Sequence, residues 1–310
     1  MSDYWHRQGY ELKFQVSDII LLRKRIPILA HACTLGEILS GKASDPPLEL
    51  PRECEGFLIR SCPGHALEGA IDRSGLYVAY TMASYEHCYI DLSGSFSDYQ
   101  AKFSTKTRGT ITRKIKKFTA QCNGRMSFQS YSCPDDMPAF YRWARQVSVL
   151  TYQERLLDAG LPGEPAFVDA MLAEAKQGRV RAYLLFDGEK PVAYLYCPII
   201  EKTLVYAFLG FDPSYGESSV GTILLWLSLE RMFSEKAFCY FDFTEGASTQ
   251  KQMFSTHRVP CFNRLFLLDT GRNRLLLAAH RRFDRTSHRL GTALDRWGFK
   301  RAIKRLLRGA

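Results

Sequence analysis

Missing from this sequence is any apolar run approaching the ~20 residues that cross a bilayer. The best stretch, Thr222 to Leu229, is short and follows Gly221. Missing too is any Cys-x-x-Cys pair: cysteines stand at 33, 54, 62, 88, 122, 133, 197, 239 and 261, an odd number. That argues against a disulfide framework and a zinc ribbon, and predicts reduced thiols in a cytoplasmic chain with no metal. No repeat of about 20–50 residues and no low-complexity tract occurs, which excludes a solenoid. The opening MSDYWHRQGYELKF carries acids and no apolar core, so no secretory signal is expected. What is present is 310 residues, 46% hydrophobic and 13% aromatic. That is enough for a sizeable core and more than one ordinary domain.

Acidic residues are scarce where the charge concentrates. The net charge of +10 lies in residues 272–310, which hold twelve Lys/Arg and two Asp, leaving thirty residues of each sign in 1–271. Leu275, Leu276, Leu277, Phe283, Leu290, Leu294, Trp297, Ile303, Leu306 and Leu307 fall among these arginines at loosely helical spacing. A basic amphipathic helix either touches a membrane surface or acidic partner, or packs its apolar stripe on the body. A second basic run from Lys102 to Lys117 contains no acid; it either meets an anionic ligand or forms a solvated helix face. The neutral body argues against specific nucleic-acid binding.

Along the first hundred residues, Ser17–Asp18 are expected to cap a short helix through Arg25, and Thr34 another through Leu39. Strands are expected at Phe57–Ile59, and at Leu76–Thr81 and Tyr85–Leu92 as a hairpin, and Ser95 and Ser97 open one helix to about Thr119. The second half reads more clearly. A strand at Met126–Tyr131 leads to a helix after Asp135, then a helix from Ala166 to Gln177 stopped by Gly178. Strands follow at Val180–Phe186, Val192–Ile200 and Leu204–Phe211, the first pair joined by Asp187–Gly188. The segment DPSYGESSVG (212–221) enters a helix to about Glu235, before a strand at 238–243, a helix near 249–256 and a strand at 262–268. This order predicts an α/β or α+β fold with a mixed sheet flanked by helices.

Two segments carry chemistry on their own residues. Gly216, Ser218, Ser219, Gly221 and Thr222 surround a helix start, where free N–H groups and small residues admit a pyrophosphate; an ordinary Ser-capped helix is the alternative. In FCYFDFTEG, strand alternation puts Tyr240, Asp242 and Thr244 on one face. Asp242 between two aromatics is a candidate base, or a carboxylate organising the loop to Lys251. His257 reads as a base or, more simply, a surface histidine at a helix end.

The pieces FSDYQAKFSTKTRGTITRKIKKF (96–118), SVLTYQ (148–153), AYLLFDGEKPVAYLY (182–196), FLGFDPSYGESSVGTILL (208–225) and FDFTEG with QK at 250–251 occur in one order. Together, over residues 95–270, they resemble the Gcn5-related N-acyltransferases (GNAT), in their cellulose-biosynthesis-type (CelD/BcsL-like) branch, which is related to Fem-type aminoacyl transferases. The resemblance implies two tandem GNAT-like halves, a degenerate one at 1–124 and an acyltransferase half at 125–271, followed by the basic tail at 272–310.

It also implies acetyl- or acyl-coenzyme A as donor, an amine or hydroxyl acceptor drawn from exopolysaccharide or cell-envelope precursors, and a cytoplasmic enzyme at or near the inner membrane face. A carrier-protein donor, Fem-like aminoacyl-tRNA transfer and a non-catalytic binding module are the alternatives. By the same resemblance Asp242, Glu245 and Lys251 are catalytic, with Gln250 where tyrosine is usual. Phe208, Gly210, Gly216, Ser218, Ser219, Val220, Gly221 and Thr222 hold the donor, although the superfamily's Q/R-x-x-G-x-G/A loop is not present as written. Arg108, Arg113, Tyr152, Gln153 and Tyr206 face the acceptor, and the strand Tyr206–Phe211 supplies an N–H that polarises the thioester carbonyl.

Overall fold

The computed structural model describes residues 5–16, 19–43, 49–151, 154 and 160–296. In chain order these form β1 (His6–Val16), β2 (Ile19–Ala32), α1 (Leu35–Ser40), β3 (Gly56–Pro63), β4 (Ile71–Ser74) and β5 (Tyr77–Asp91). Next come α2 (Phe96–Ala101), α3 (Thr105–Gln121), β6 (Met126–Tyr131), α4 (Met137–Ser148) and α5 (Pro165–Lys176). Four strands follow: β7 (Val180–Asp187), β8 (Lys190–Ile200), β9 (Thr203–Val205) and β10 (Phe208–Phe211). A 3-10 turn at Pro213–Ser218 leads into α6 (Val220–Glu235), then β11 (Tyr240–Asp242), α7 (Thr249–Phe254), β12 (His257–Leu268) and α8 (Gly271–Arg296). The architecture is the expected α/β one, mixed sheets flanked by helices. No helix among the described residues is long and apolar enough to cross a membrane.

The chain divides into two compact units, residues 1–86 with 259–310, and residues 87–258. This differs from the expected boundary at 124, and packing gives the reason. Phe103, Ile111 and Phe118 of the segment 96–121 are buried in one cluster with Leu224, Trp226 and Phe233 of α6. The basic helices therefore belong with the second unit.

In the first unit the strand order is β1-β2-β3-β12-β5, with β4 on β5. The helix expected through Arg25 is instead part of β2, paired with β1 from His6↔Ala30 to Val16↔Ile19. Its supposed cap, Ser17–Asp18, lies outside the described residues. Burial of Ile26, Ile28 and Ala30 at every second position is the strand period that outweighs local helix signals. The expected hairpin at 76–92 is one long strand, β5. Thr34 does cap α1, in a reciprocal pair with Glu37, and Gly41 ends it at φ 71°. The C-terminal helix is no appendage over its first turns: Leu277 is fully buried with Leu12, Leu265 and Leu267, and Ser287 Oγ donates to the Gln15 carbonyl at 2.6 Å.

The second unit carries the order β5-β11-β9-β8-β7-β6, with β10 on β8. Strand β11 runs antiparallel to β5 and parallel to β9. Helix α6 buries Val220, Ile223, Leu224, Leu225, Trp226, Leu229, Met232 and Phe233. At about 1.5–3 kcal/mol for each large side chain, this helix anchors the unit. The single helix expected from Ser95 is two, broken at Lys102, whose Nζ donates to the carbonyls of Phe254 and Ser255, each at 2.5 Å.

Candidate active site

The expected strand Leu204–Phe211 is split, and the split shapes the site. Its first part, β9, pairs with β11; its second, β10, pairs only with β8 among the described residues. Between them the Tyr206 N–H donates to the Asp242 carbonyl at 2.8 Å and the Ala207 N–H to the Tyr196 carbonyl at 3.3 Å. Tyr206 therefore has no N–H to give a thioester. Beyond that point, antiparallel pairing on one side leaves alternate N–H groups of Phe208–Phe211 on the open side. These are the donors that suit a carbonyl oxygen.

The helix start after β10 is built closely. Asp212 Oδ1 accepts from Ser214 N and Oγ, its Oδ2 pairs with Lys190 at 2.8 Å, and Tyr215 OH donates to Asp187 at 2.9 Å. Ser219 takes a left-handed conformation, φ 56°, and turns the chain into α6. A side chain at Gly216 would meet open space, whereas a Cβ at Gly221 would press on Phe211 at 3.3 Å. Gly221 is thus fixed by the contact of α6 with β10, and Gly216 leaves the approach clear. Ser218 Oγ is held by Gln121 at 2.7 Å, and Glu217 points to solvent. Val220 and Thr222 complete the first turn, with Thr222 N–H bonded back to Ser219 O. Gly210 serves packing, since a Cβ there would run into the Tyr194 ring and come within 2.9 Å of the Thr151 methyl.

The acid and base groups gather at the end of β11. Asp242 is buried, 5% exposed, and its Oδ1 accepts from the Thr244 N–H at 2.7 Å, with Thr244 at φ 60°. The same oxygen lies 2.6 Å from His87 Nε2. His87 is 1% exposed, and its Nδ1, also buried, has no hydrogen-bond partner among the described residues. Lys251 Nζ donates to the Glu245 carbonyl at 2.6 Å and sits 6.0 Å from the centre of the Tyr206 ring. Burial pushes its ammonium below the usual lysine range, against the pull of the Asp242 charge. Burial raises the Tyr206 phenol, whose ring packs on Phe241 and Phe243. Glu245 itself is exposed; its backbone carbonyl accepts from Lys251, and its charge also acts on that ammonium.

The structure places Asp242, Lys251 and Tyr206 near one another, with the Glu245 carbonyl on Lys251, and adds His87 to them. Arg108 and Arg113 are exposed on α3, whose buried residues are Ile111 and Phe118. Tyr152 and Gln153 lie outside the described residues; their neighbours Ser148 and Thr151 are buried. Ser148 Oγ donates to Glu154 at 2.7 Å and accepts from Leu161 N and Tyr194 OH, while Arg145 binds Glu154 at 2.9 Å. His257 is exposed, stacked on Tyr89 at 5.2 Å and bonded to Thr256 Oγ1 at 2.8 Å. It is a surface histidine. No local spacing joins His87 to Asp242, 155 positions away; only their placement on paired strands does.

Residues 105–252 match the acetyltransferase (GNAT) domain family. No curated protein matches the chain. Among solved structures, one similar fold is the C-terminal domain of a protein assigned as a lysylphosphatidylglycerol synthetase from Agrobacterium fabrum. The TM-score is 0.50 at 11% identity, over 89% of this chain and 87% of that one. FemX gives 0.49 at 6% identity over 88% and 91%, and L-PGS from Bacillus licheniformis 0.45 at 12% over 74% and 72%. At such identities the likeness is one of fold.

Proposed function

We propose, from the premise that its GNAT domain makes this chain an acyltransferase, that it moves an acyl group from acyl-coenzyme A to an amine or hydroxyl acceptor. The observation that carries the reading is the buried His87–Asp242 pair, 2.6 Å apart, with His87 Nδ1 left without a partner. Asp242 takes the Nε2 proton's hydrogen bond and so leaves the Nδ1 lone pair as the base. Asp242 is then a positioning carboxylate, and the proton acceptor is the ring it orients.

The acceptor nitrogen or oxygen attacks the thioester carbonyl carbon and gives its proton to Nδ1, directly or through one water. The carbon–sulfur bond breaks, and the thiolate leaves with a proton from Lys251, whose lowered pKa eases release. Open N–H groups of β10 stabilise the oxyanion. The first turn of α6, with Gly216 leaving room before it, suits the donor's pyrophosphate.

Acetyl is the simplest acyl group, and an exopolysaccharide or cell-envelope precursor is the acceptor class the cellulose-type resemblance suggests. A carrier-protein thioester would use the same chemistry. On this reading the enzyme works in the cytoplasm, and the exposed Arg274, Arg282 and Arg285 of the docked helix α8 suit an acidic membrane face. A second reading, aminoacyl transfer from tRNA, draws on the exposed basic face of α3 and on the synthetase assignment of the A. fabrum protein.

A thermal melt of the full chain with coenzyme A, acetyl-coenzyme A and a longer acyl-coenzyme A tests the donor. A ligand at 100-fold its dissociation constant adds about 2.7 kcal/mol, read as a clear upward shift. No shift with any of them, together with salt-sensitive retention of tRNA, would replace this reading with the second.

A further inference from the structure

Far in sequence from the acid–base pair, the end of β2, the start of α1 and the end of β3 bring a different set of groups together. His31 Nε2 lies 3.1 Å from Glu37 Oε1 and 3.2 Å from Oε2. The Cys62 and His31 side chains are near enough to act on the Cys33 thiol, which Cys62 and burial push up. The donor atoms of His31, Cys33 and Glu37 all lie within 4.8 Å of one another. His31 is 1% exposed, and Cys33 and Cys62 are each 5% exposed. The backbone fixes this meeting: β2 runs parallel to β3 with His31 opposite Ile59, and the Cys33 N–H donates to the Arg60 carbonyl at 3.0 Å.

We propose that His31, Cys33, Glu37 and Cys62 form a structural site for a divalent ion of the zinc class. Two thiolates, an imidazole nitrogen and a carboxylate oxygen are the donors such an ion takes, and four protein donors fill a tetrahedron without an open position. Zinc bonds of about 2.0–2.3 Å place ligand atoms roughly 3.4–3.8 Å apart, so His31, Cys33 and Glu37 need draw in by only about 1 Å, and Cys62, outside that trio, joins from beside Cys33. Glu37 is already held from behind. Its Oε2 accepts from Thr34 N at 2.7 Å and Oγ1 at 3.1 Å, leaving Oε1 toward His31. Such support is what orients a metal-binding carboxylate. On binding, the two thiols release their protons to solvent, and the three anionic ligands leave the filled site at −1. The ion would pin the β2–α1–β3 junction. This departs from the expectation of no metal, which rested on the missing Cys-x-x-Cys. Here the ligands come from two parallel strand ends and a helix, not from a knuckle.

The test uses the full chain. Metal analysis after desalting is expected to give one zinc per chain. Replacement by Co2+ should give thiolate-to-cobalt charge transfer in the near ultraviolet and the intense visible bands of a tetrahedral ion. The double variant Cys33→Ser/Cys62→Ser should lose both signals while retaining its circular dichroism. If that variant fails to fold, the wild-type cobalt spectrum decides alone. A folded wild-type chain without stoichiometric zinc and without cobalt bands, or one whose Cys33 and Cys62 are recovered as a disulfide, overturns the proposal.

Discussion

Among the described residues there are two histidine–carboxylate pairs, one in each unit, and they differ in what else touches the ring. His87 and Asp242 are both buried, Asp242 between the aromatic neighbours Phe241 and Phe243, and the far nitrogen of His87 has no partner among the described residues. His31 is equally buried, but its carboxylate, Glu37, is 24% exposed in its side chain and shared with the cap of α1. The Cys33 thiol completes that second cluster, with Cys62 beside it. The same pair of side chains therefore supports different chemistry. On the reading proposed above, a buried imidazole with one nitrogen bonded and the other unbonded acts as a proton acceptor, whereas an imidazole beside a thiol and a braced carboxylate acts as a ligand. The third partner, not the pair, carries the distinction.

The largest expected effect comes from breaking the first pair. Asp242→Asn keeps the size of the side chain and an oxygen for the Thr244 N–H, yet removes the charge that orients His87. Turnover should fall roughly 10²–10⁴-fold with the melting temperature nearly unchanged. Activity and melting temperature falling in step would make the pair a structural one.

Thr34→Ala sharpens the other side of the comparison by removing the hydroxyl partner of Glu37. The lost cap should cost about 1 kcal/mol, a drop of roughly 2–4 °C, without change in turnover. An unchanged melt would show that α1 does not depend on its cap.

The smallest effect belongs to His280, whose ring sits between a phenol and a backbone carbonyl. Its Nδ1 meets Tyr80 OH at 2.9 Å and its Nε2 the Lys13 carbonyl at 3.2 Å. Burial lowers its pKa, outweighing the Lys13 carbonyl bond and the nearby Asp284 charge, which both raise it. The folded chain therefore binds fewer protons here than the unfolded chain does. The stability this gives is whole above the ordinary histidine value and drains as pH falls through it to the folded value. The melting temperature of the wild type should drop more between about pH 7.5 and pH 5 than that of His280→Gln. Equal slopes would remove His280 from the pH response.

Much of the second unit was legible because its signals are local. Gly188 turns β7 into β8, Gly178 stops α5, and the strands between them are long and apolar. The first unit hid its strands. Leu21 and Leu22 are exposed at the N-terminal end of β2, and the basic Arg23–Lys24–Arg25 behind them imitates a helix face. Met82–Ala83–Ser84 reads as a turn but lies inside β5. In the candidate site, Asp242 and Lys251 stood out by neighbouring residues, while His87 is one imidazole on a strand with its partner 155 positions away. The Cys33–Cys62 contact is equally silent, since parallel pairing of β2 and β3 is a tertiary fact.

One packing contact reaches further than its size suggests. The Tyr194 ring fills the space where a side chain at 210 would go, and Tyr194 OH bonds to Ser148, which holds Glu154 and Leu161. The open strand beside the candidate site is thus set at a fixed height by one phenol ring standing on a polar network. Positions 194 and 210 are free to change only together. A descendant of this chain that gains a side chain at 210 must first lose the ring at 194, and with it the link from β10 to the 148–161 segment.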